Sequence, residues 1–387
     1  MVNNILISYY SIAGNSKYQD LANSLYNNNN NVLQLNIKNI TNNDILEVKS
    51  FNPNIIFSYN NSLPERIFLE YNCPILIIDA DNPEMFFQKD LLKKNFDKEN
   101  IYYLCYQSSS LDLYKNTLGI DVTKKYIDFP PFSNFIKNNK SKQDINISFI
   151  GSNFYSCFEE MIKNTSGLDL PQLSDCISHI KKNYYDPNVV LKYKKNIIAN
   201  AKHIHAGQER ISYLKTLSDL GLKIYSNSNW KKELFFIDSD IAKCYQNKAI
   251  VTSKENNDLY NRSKISINLS HPQAVSSFSW RVPDIMASNS CLVMENKPDW
   301  HKQFGKHISQ EVIDLIIYKD QHDMRNKVIK LLNNEQLRKK CVKECNIAIE
   351  KSGRFYHGLR KIENLIKIKI IDNKVIDNKV IDNKVID

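Results

Sequence analysis

Residues 259–292 read LYNRSKISINLSHPQAVSSFSWRVPDIMASNSCL and hold the densest set of side chains that could do chemistry. Arg281 and Asp284 are three apart, so they share one face of a helix that starts near Arg281. Ser279 is placed to cap that helix, and Pro283 is tolerated in its first turn. A guanidinium and free helix amides hold phosphate, while a carboxylate accepts from ribose hydroxyls. The segment therefore predicts a nucleoside-diphosphate site with Arg281, Asp284, Ser276 and Ser277 as contacts. An Arg–Asp pair that only caps a helix is the plainer alternative. His271 can touch a bound sugar or simply brace the loop.

Other acidic and small residues are weaker signals. Asp79-Ala80-Asp81 and Asp238-Ser239-Asp240 each place two carboxylates at D-x-D spacing after an apolar run. Neither has further oxygen ligands nearby, so both read as turns rather than metal sites. Asp79 and Asp81 remain candidates for a general base. The opening ILISYYSIAGNSKYQDLANSL runs from a strand through Ser11–Ser16 into a helix, a common phosphate-holding arrangement. His203-x-His205 has no spacing that singles it out.

These residues need strands and helices to position them. Candidate strands at 5–10, 32–37, 55–59, 74–79 and 101–106 alternate with helical stretches such as 17–26 and 83–94. That pattern argues for a parallel sheet covered on both faces. Phe129-Pro130-Pro131-Phe132 and a polar run to Asp144 form a linker. A second α/β series starts at Ile145 and ends its first strand at Gly151-Ser152. Helices at 209–220, 257–262, 281–288, 323–332 and 335–351 alternate with strands at 222–226, 264–269 and 291–295, and Gly221 stops a helix. The expected organisation is α/β throughout: residues 1–140, residues 141–334, C-terminal helices at 335–369 that can cross back to the first domain, and a tail at 370–387. The tail repeats VIDNK, which fits neither a heptad nor a helical period, and reads as a low-complexity extension without a catalytic role.

The 387 residues suit two domains, with 42% hydrophobic and 24% charged residues. No window reaches the ~20 apolar residues of a membrane span, and the first residues do not read as a secretory signal. Eight scattered cysteines without a C-x-x-C read as reduced cytosolic thiols. The net charge of +10 comes from dispersed lysines and arginines, so it reads as a solvated surface rather than a nucleic-acid face.

The 256–305 segment resembles the glycosyltransferase group 1 domain of CgeB-like, spore maturation type proteins. The matching residues are Leu259-Tyr260-Asn261, Ile267-Asn268-Leu269, Arg281, Asp284-Ile285, Ala287 and Leu292. Asn289 stands where the family usually has glycine. Weaker likeness runs from Ile145 to Lys367. The resemblance implies a GT-B glycosyltransferase: two Rossmann-like domains facing across a cleft, the second holding a UDP- or GDP-sugar without a metal or other cofactor. It places Gly151, Ser152, Arg210, Ser276, Ser277, Arg281 and Asp284 on the donor, with Asp284 at the ribose. Acceptor contacts fall on Ser11, Gly14 and Asn15; catalysis falls on Asp79, Asp81 or His271. Many related retaining enzymes carry a second acid eight residues before Asp284; here that position is Ser276, which leaves the stereochemical outcome open. The acceptor would be a glycan, a lipid-linked sugar or a protein rather than nucleic acid. The setting would be cytoplasmic, with peripheral contact to the inner membrane face. The opening also resembles the flavin-phosphate loop of flavodoxins, but the middle hydroxyl position is Ala13, and a flavodoxin needs no second α/β half. A flavodoxin-like FMN protein and a non-catalytic glycan-binding module are the alternatives.

Overall fold

The computed structural model describes residues 2–10, 16–154, 169–184, 187–226, 230 and 238–372. Ser11, Gly14 and Asn15 therefore lie outside the described residues, as do Cys157 and the tail beyond Asp372.

The first domain is a six-stranded parallel sheet. Its strands are β1 (Asn4–Tyr9), β2 (Asn31–Asn36), β3 (Ile55–Tyr59), β4 (Ile75–Ile78), β5 (Ile101–Cys105) and β6 (Tyr126–Asp128), in the order β2-β1-β3-β4-β5-β6. Every residue of β3 and β4 is buried. Such unbroken apolar runs mark strands covered on both faces, and parallel strands need that cover because each crossover lays a helix on a face. The helices are α1 (Ser16–Tyr26), α2 (Asn42–Phe51), α3 (Glu65–Glu70), α4 (Lys89–Asn95) and α5 (Ser110–Leu113). The stretch expected as one helix at 83–94 is broken, because Gln88 adopts φ 46° and separates the short turn Pro83–Met85 from α4.

The second sheet holds β7 (Ile145–Ile150), β8 (Leu222–Tyr225), β9 (Ser263–Asn268), β10 (Cys291–Glu295) and β11 (Ile317–Tyr318), in the order β11-β10-β9-β7-β8 and again parallel. Between β7 and β8 lie α6 (Leu170–Lys182), α7 (Pro187–Lys192) and the long α8 (Lys195–Lys215). The upstream halves of these helices share their own small core around Leu173, Cys176, Ile180 and Ile197. Then come α9 (Ser239–Cys244), α10 (Ser253–Arg262), α11 (Arg281–Met286), α12 (Pro298–Phe304), α13 (Gln310–Ile316), α14 (Gln321–Asn333), α15 (Glu335–Ala348) and α16 (Phe355–Ile366). Gly221 ends its helical turn at φ 80°, as its position predicts. Asp238 caps α9, accepting from the amides of Asp240 and Ile241, and pairs with Lys215 at 2.7 Å. That accounts for the second D-x-D as a helix start.

The C-terminal helices divide between the domains. α15 stays in the second, where Cys341, Val342 and Cys345 join its core. Only α16 crosses back: Phe355, Leu359, Ile362 and Ile366 pack with Ile5, Leu21, Phe129 and Phe132. The chain continues along the first domain, where Asn3 Nδ2 donates to Lys369 O at 2.8 Å and Asn30 Nδ2 to Ile370 O at 2.9 Å. Ile370 and Ile371, at the start of the repeat, are buried in that core. Among the described residues no helix is long and apolar enough to cross a membrane.

Gly358 lets α16 approach the linker. A Cβ there would stand 2.6 Å from Phe132 and 2.8 Å from Phe129. Gly358→Ala should therefore destabilise the protein by about 1–3 kcal/mol through overpacking, read as a lower urea midpoint at unchanged slope.

Candidate functional site

In an open parallel sheet, ligands bind beyond the C-terminal strand ends, where the chain reverses its direction of winding. Here the two reversal points lie between β1 and β3 and between β7 and β9. The second is occupied by Arg210. Its Nη1 donates to Ser152 O at 2.7 Å, just past β7, and its Nη2 donates to Leu269 O at 2.7 Å, just past β9. The guanidinium also lies over Phe154, 4.4 Å from the ring centroid. Gly151 begins this turn, and a Cβ there would stand 2.7 Å from the Phe149 ring.

Burial, and then the nearby Arg281, push Arg210 down to about 9. Two guanidiniums thus sit close together, and among the described residues Arg281 makes no ion pair. Glu295 and Glu209 act on Arg210 in the opposite sense. His271 adjoins it. The Gln273 amide donates to His271 Nδ1 at 3.1 Å, so Nε2 carries the proton. Burial, followed by Arg210, pushes the imidazole down to about 3. It is a neutral hydrogen-bond donor at Nε2 and cannot serve as a base there. A depression of about 320 Å³, open to solvent, adjoins Arg210 and is lined by Glu209, Tyr213, Ser270, Glu295 and Tyr318. Glu295 accepts from the Ser270 amide at 3.1 Å and pairs with Lys297 at 3.3 Å. Burial, and then Glu295, raise the Glu209 carboxyl.

Three residues expected on the donor are placed differently. Asp284 is buried, and its Oδ1 accepts from Ser133 Oγ of the linker at 2.7 Å. It braces the linker instead of opening toward the cleft. Ser276 Oγ donates to Asp299 Oδ2 at 2.9 Å and accepts from the Ser109 amide at 3.1 Å, which puts it in the seam between domains. Ser277 is fully buried and its hydroxyl has no partner among the described residues. The sequence pattern places these side chains on the right loop, but direction depends on what packs against it. α11 also has only six residues, so its dipole is small. Ser279 does bond the Arg281 amide, at 3.1 Å, as expected of a cap.

The two first-domain acids separate clearly. Asp79 is buried, accepts from the Tyr106 amide and faces the Ser110 side chain. Burial pushes it well above the ordinary aspartate value, disfavouring its charged form. Asp81 is half-buried in the cleft. Its Oδ2 accepts from Asn60 Nδ2 at 2.8 Å and its Oδ1 from Gln273 Nε2 of the second domain at 3.2 Å. Asn60 and Asn61 adopt φ 51° and 54°, an unusual pair of left-handed residues that forms the corner after β3. Gln107, Ser108 and Ser109 complete the seam: Gln107 Oε1 accepts from the Val275 amide at 3.1 Å, and the Ser108 amide donates to Asp299 at 2.9 Å. Sequence reasoning missed Asn60, Gln107, Gln273, Glu295, Asp299 and Tyr318. Glu295 and Tyr318 close their strands, a position that could have flagged them; the others show no local signal. Among the described residues no three metal-ligating side chains come together.

Comparison with known proteins fits this layout. Residues 208–357 match the family model Glyco_trans_1_2, described as glycosyl transferase-like. T4 phage BGT, solved with UDP and Mn2+, superposes with TM-score 0.56 at 13% identity, covering 94% of this chain and 99% of that one. Sucrose-phosphate synthase from Thermosynechococcus elongatus gives TM-score 0.56 at 8% identity, covering 94% and 98%. The fold is GT-B. No curated protein matches the sequence. The GT-B cleft is thus formed by the two strand-end edges already described, with Arg210 on one side and Asp81 on the other.

Two measurements test this electrostatic picture. Between about pH 6.5 and 3 the unfolded chain takes up a proton on residue 271 that the folded chain refuses, so stability falls as pH falls. The slope for one proton is up to ~1.4 kcal/mol per pH unit. His271→Gln should remove this loss, so urea midpoints at pH 7 and 5 should differ less in the variant than in the wild type. Asp79 has the opposite sign: its raised value makes the folded state less stable as pH rises above 3.8. Asp79→Asn should therefore keep or raise the melting temperature at pH 7.

Proposed function

We propose that the protein is a nucleotide-sugar-dependent glycosyltransferase of the CgeB-like kind. It would move a hexosyl or related sugar from a UDP- or GDP-sugar to a hydroxyl of a glycan, lipid-linked or protein acceptor. One observation carries the reading: Arg210 sits at the reversal point of the second sheet, close enough to Arg281 to feel its charge, and no carboxylate lies within ion-pair distance of either among the described residues. Two cations there suit a diphosphate, and the glycosyl transferase-like match over 208–357 includes both. T4 phage BGT, which shares the fold, was solved with UDP.

The chemistry follows from charge development. As the bond from the anomeric carbon to the diphosphate breaks, its electrons stay with the leaving phosphate. Arg281 and the Arg210 guanidinium oppose that growing negative charge without needing a metal. His271 Nε2–H donates to the sugar or the phosphate. Asp81 accepts the acceptor's hydroxyl proton as its oxygen bonds the anomeric carbon, a single displacement that inverts configuration. Asp79 is buried and does not face the cleft, so it does not compete for this role.

The first sheet has the strand order of flavodoxin-like folds, which keeps the FMN alternative in view. The second α/β domain and its family match favour glycosyl transfer. Thermal-shift titrations with UDP, GDP, CMP and ADP decide the donor half. At least one nucleoside diphosphate should raise the melting temperature, and Arg281→Ala should abolish that rise. An equal rise in the variant would remove the donor site from this place. FMN copurifying with the protein would select the redox alternative. Binding without turnover, unchanged by Asp81→Asn, would select a non-catalytic module.

A further inference from the structure

Gln273 belongs to the second domain, yet its side chain ends on a carboxylate of the first. Its Nε2 donates to Asp81 Oδ1 at 3.2 Å while Asn60 Nδ2 donates to Oδ2 at 2.8 Å, so each oxygen is held by an amide from a different domain. Asn60 is itself fixed. Its Oδ1 accepts from the amides of Ala80 at 2.9 Å and Asp81 at 3.0 Å, and its backbone bonds Ile78 and Phe87. The left-handed corner at Asn60–Asn61 is therefore over-determined by partners on the 78–88 loop.

The same Gln273 is bonded on the donor side. Its amide donates to His271 Nδ1, which leaves the proton on Nε2. The loop around it is gripped from the first domain by Gln107, which accepts from Val275 and reaches the Gln273 carbonyl at 3.5 Å. One residue thus joins the neutral imidazole beside Arg210 to the carboxylate across the cleft. Half of this link breaks if the domains separate, because Asn60 travels with Asp81 and Gln273 does not.

We infer that Gln273 is a positioning residue that completes the orientation of Asp81 only when the two domains meet. The donor-side loop and the acceptor-side carboxylate are then set together, and an open cleft leaves Asp81 held at one oxygen alone. This rests on the glycosyl-transfer reading for its catalytic consequence but not for the clasp itself.

The test is a cycle of Gln273→Ala, Asp81→Asn and the double variant in the full chain. Gln273→Ala keeps the backbone amide on His271. The probe is UDP-glucose, with release of UDP to water as the turnover. Gln273→Ala should leave the UDP thermal shift and the KM unchanged and lower kcat roughly tenfold, the scale of a misoriented reacting group. Asp81→Asn should lower kcat further, and the double variant should be no worse than Asp81→Asn. Gln273→Glu, which sets a second carboxylate against Asp81, should be slower than Gln273→Ala. An equal loss from Gln273→Ala in both backgrounds, or no loss in kcat, overturns the proposal. The clasp has a readout without turnover: Gln273→Ala should raise hydrogen exchange in the 79–82 loop, and Asp81→Ala should raise it in the 271–276 loop. If both loops exchange as in the wild type, the inference fails. If UDP-glucose is neither bound nor turned over while the exchange changes appear, the clasp stands and the transfer reading fails for that donor.

Discussion

The second domain is organised around a buried guanidinium. A parallel sheet that reverses its winding leaves a gap between two strand ends whose carbonyls point outward with no helix to cover them. Arg210 fills that gap with two hydrogen bonds, one to each side. Burying a cation is costly, and two carbonyls with an aromatic face offset only part of the cost. Burial and the nearby Arg281 lower the Arg210 pKa to about 9, while Glu295 and Glu209 act in the opposite sense. The same side chain therefore closes the sheet edge and, in the proposed reading, meets the donor's diphosphate, so neither role could be changed alone.

The first domain answers with polarity of the opposite sign. Its strand ends present Asp79 and Asp81 two residues apart, and the chain treats them differently. The chain bends at residues 80–81, so Asp79 is turned inward, where burial disfavours its charged form, and Asp81 is left in the cleft. The seam between the domains includes many polar contacts, among them the carboxylates of Asp81 and Asp299 with amides from the opposite domain. Such contacts exchange readily with water, which suits two bodies that meet and part. The permanent connection is elsewhere, in α16, which packs with Phe129 and Phe132 beside the first sheet.

Much of this was legible in the residues. Fully apolar runs such as Ile55–Tyr59 and Ile75–Ile78 announce strands buried on both faces, and their alternation with amphipathic stretches announces parallel sheets. The prolines at 130 and 131 mark the linker. Of the residues expected on the donor side, Arg210 lies at the reversal point, bonded to Ser152 O and Leu269 O. The orientation of Asp284 and Ser276 was not legible, because a three-residue spacing fixes a helix face but not what covers it. Ser133, 151 residues away, determines where Asp284 points. Gln273 and Asn60 carry no motif at all; their importance comes from tertiary partners that no local pattern encodes. The two-residue strand β11 and the short β6 lack the length for a periodicity to register.

The C-terminal repeat begins inside the folded body. Ile370 and Ile371 are packed in the first-domain core, and Asn3 and Asn30 hold the adjoining carbonyls. The first unit is therefore fastened to the folded body through Ile370 and Ile371. A change in the number of units would leave that attachment in place, so chains with different numbers of units should share one scaffold and one cleft.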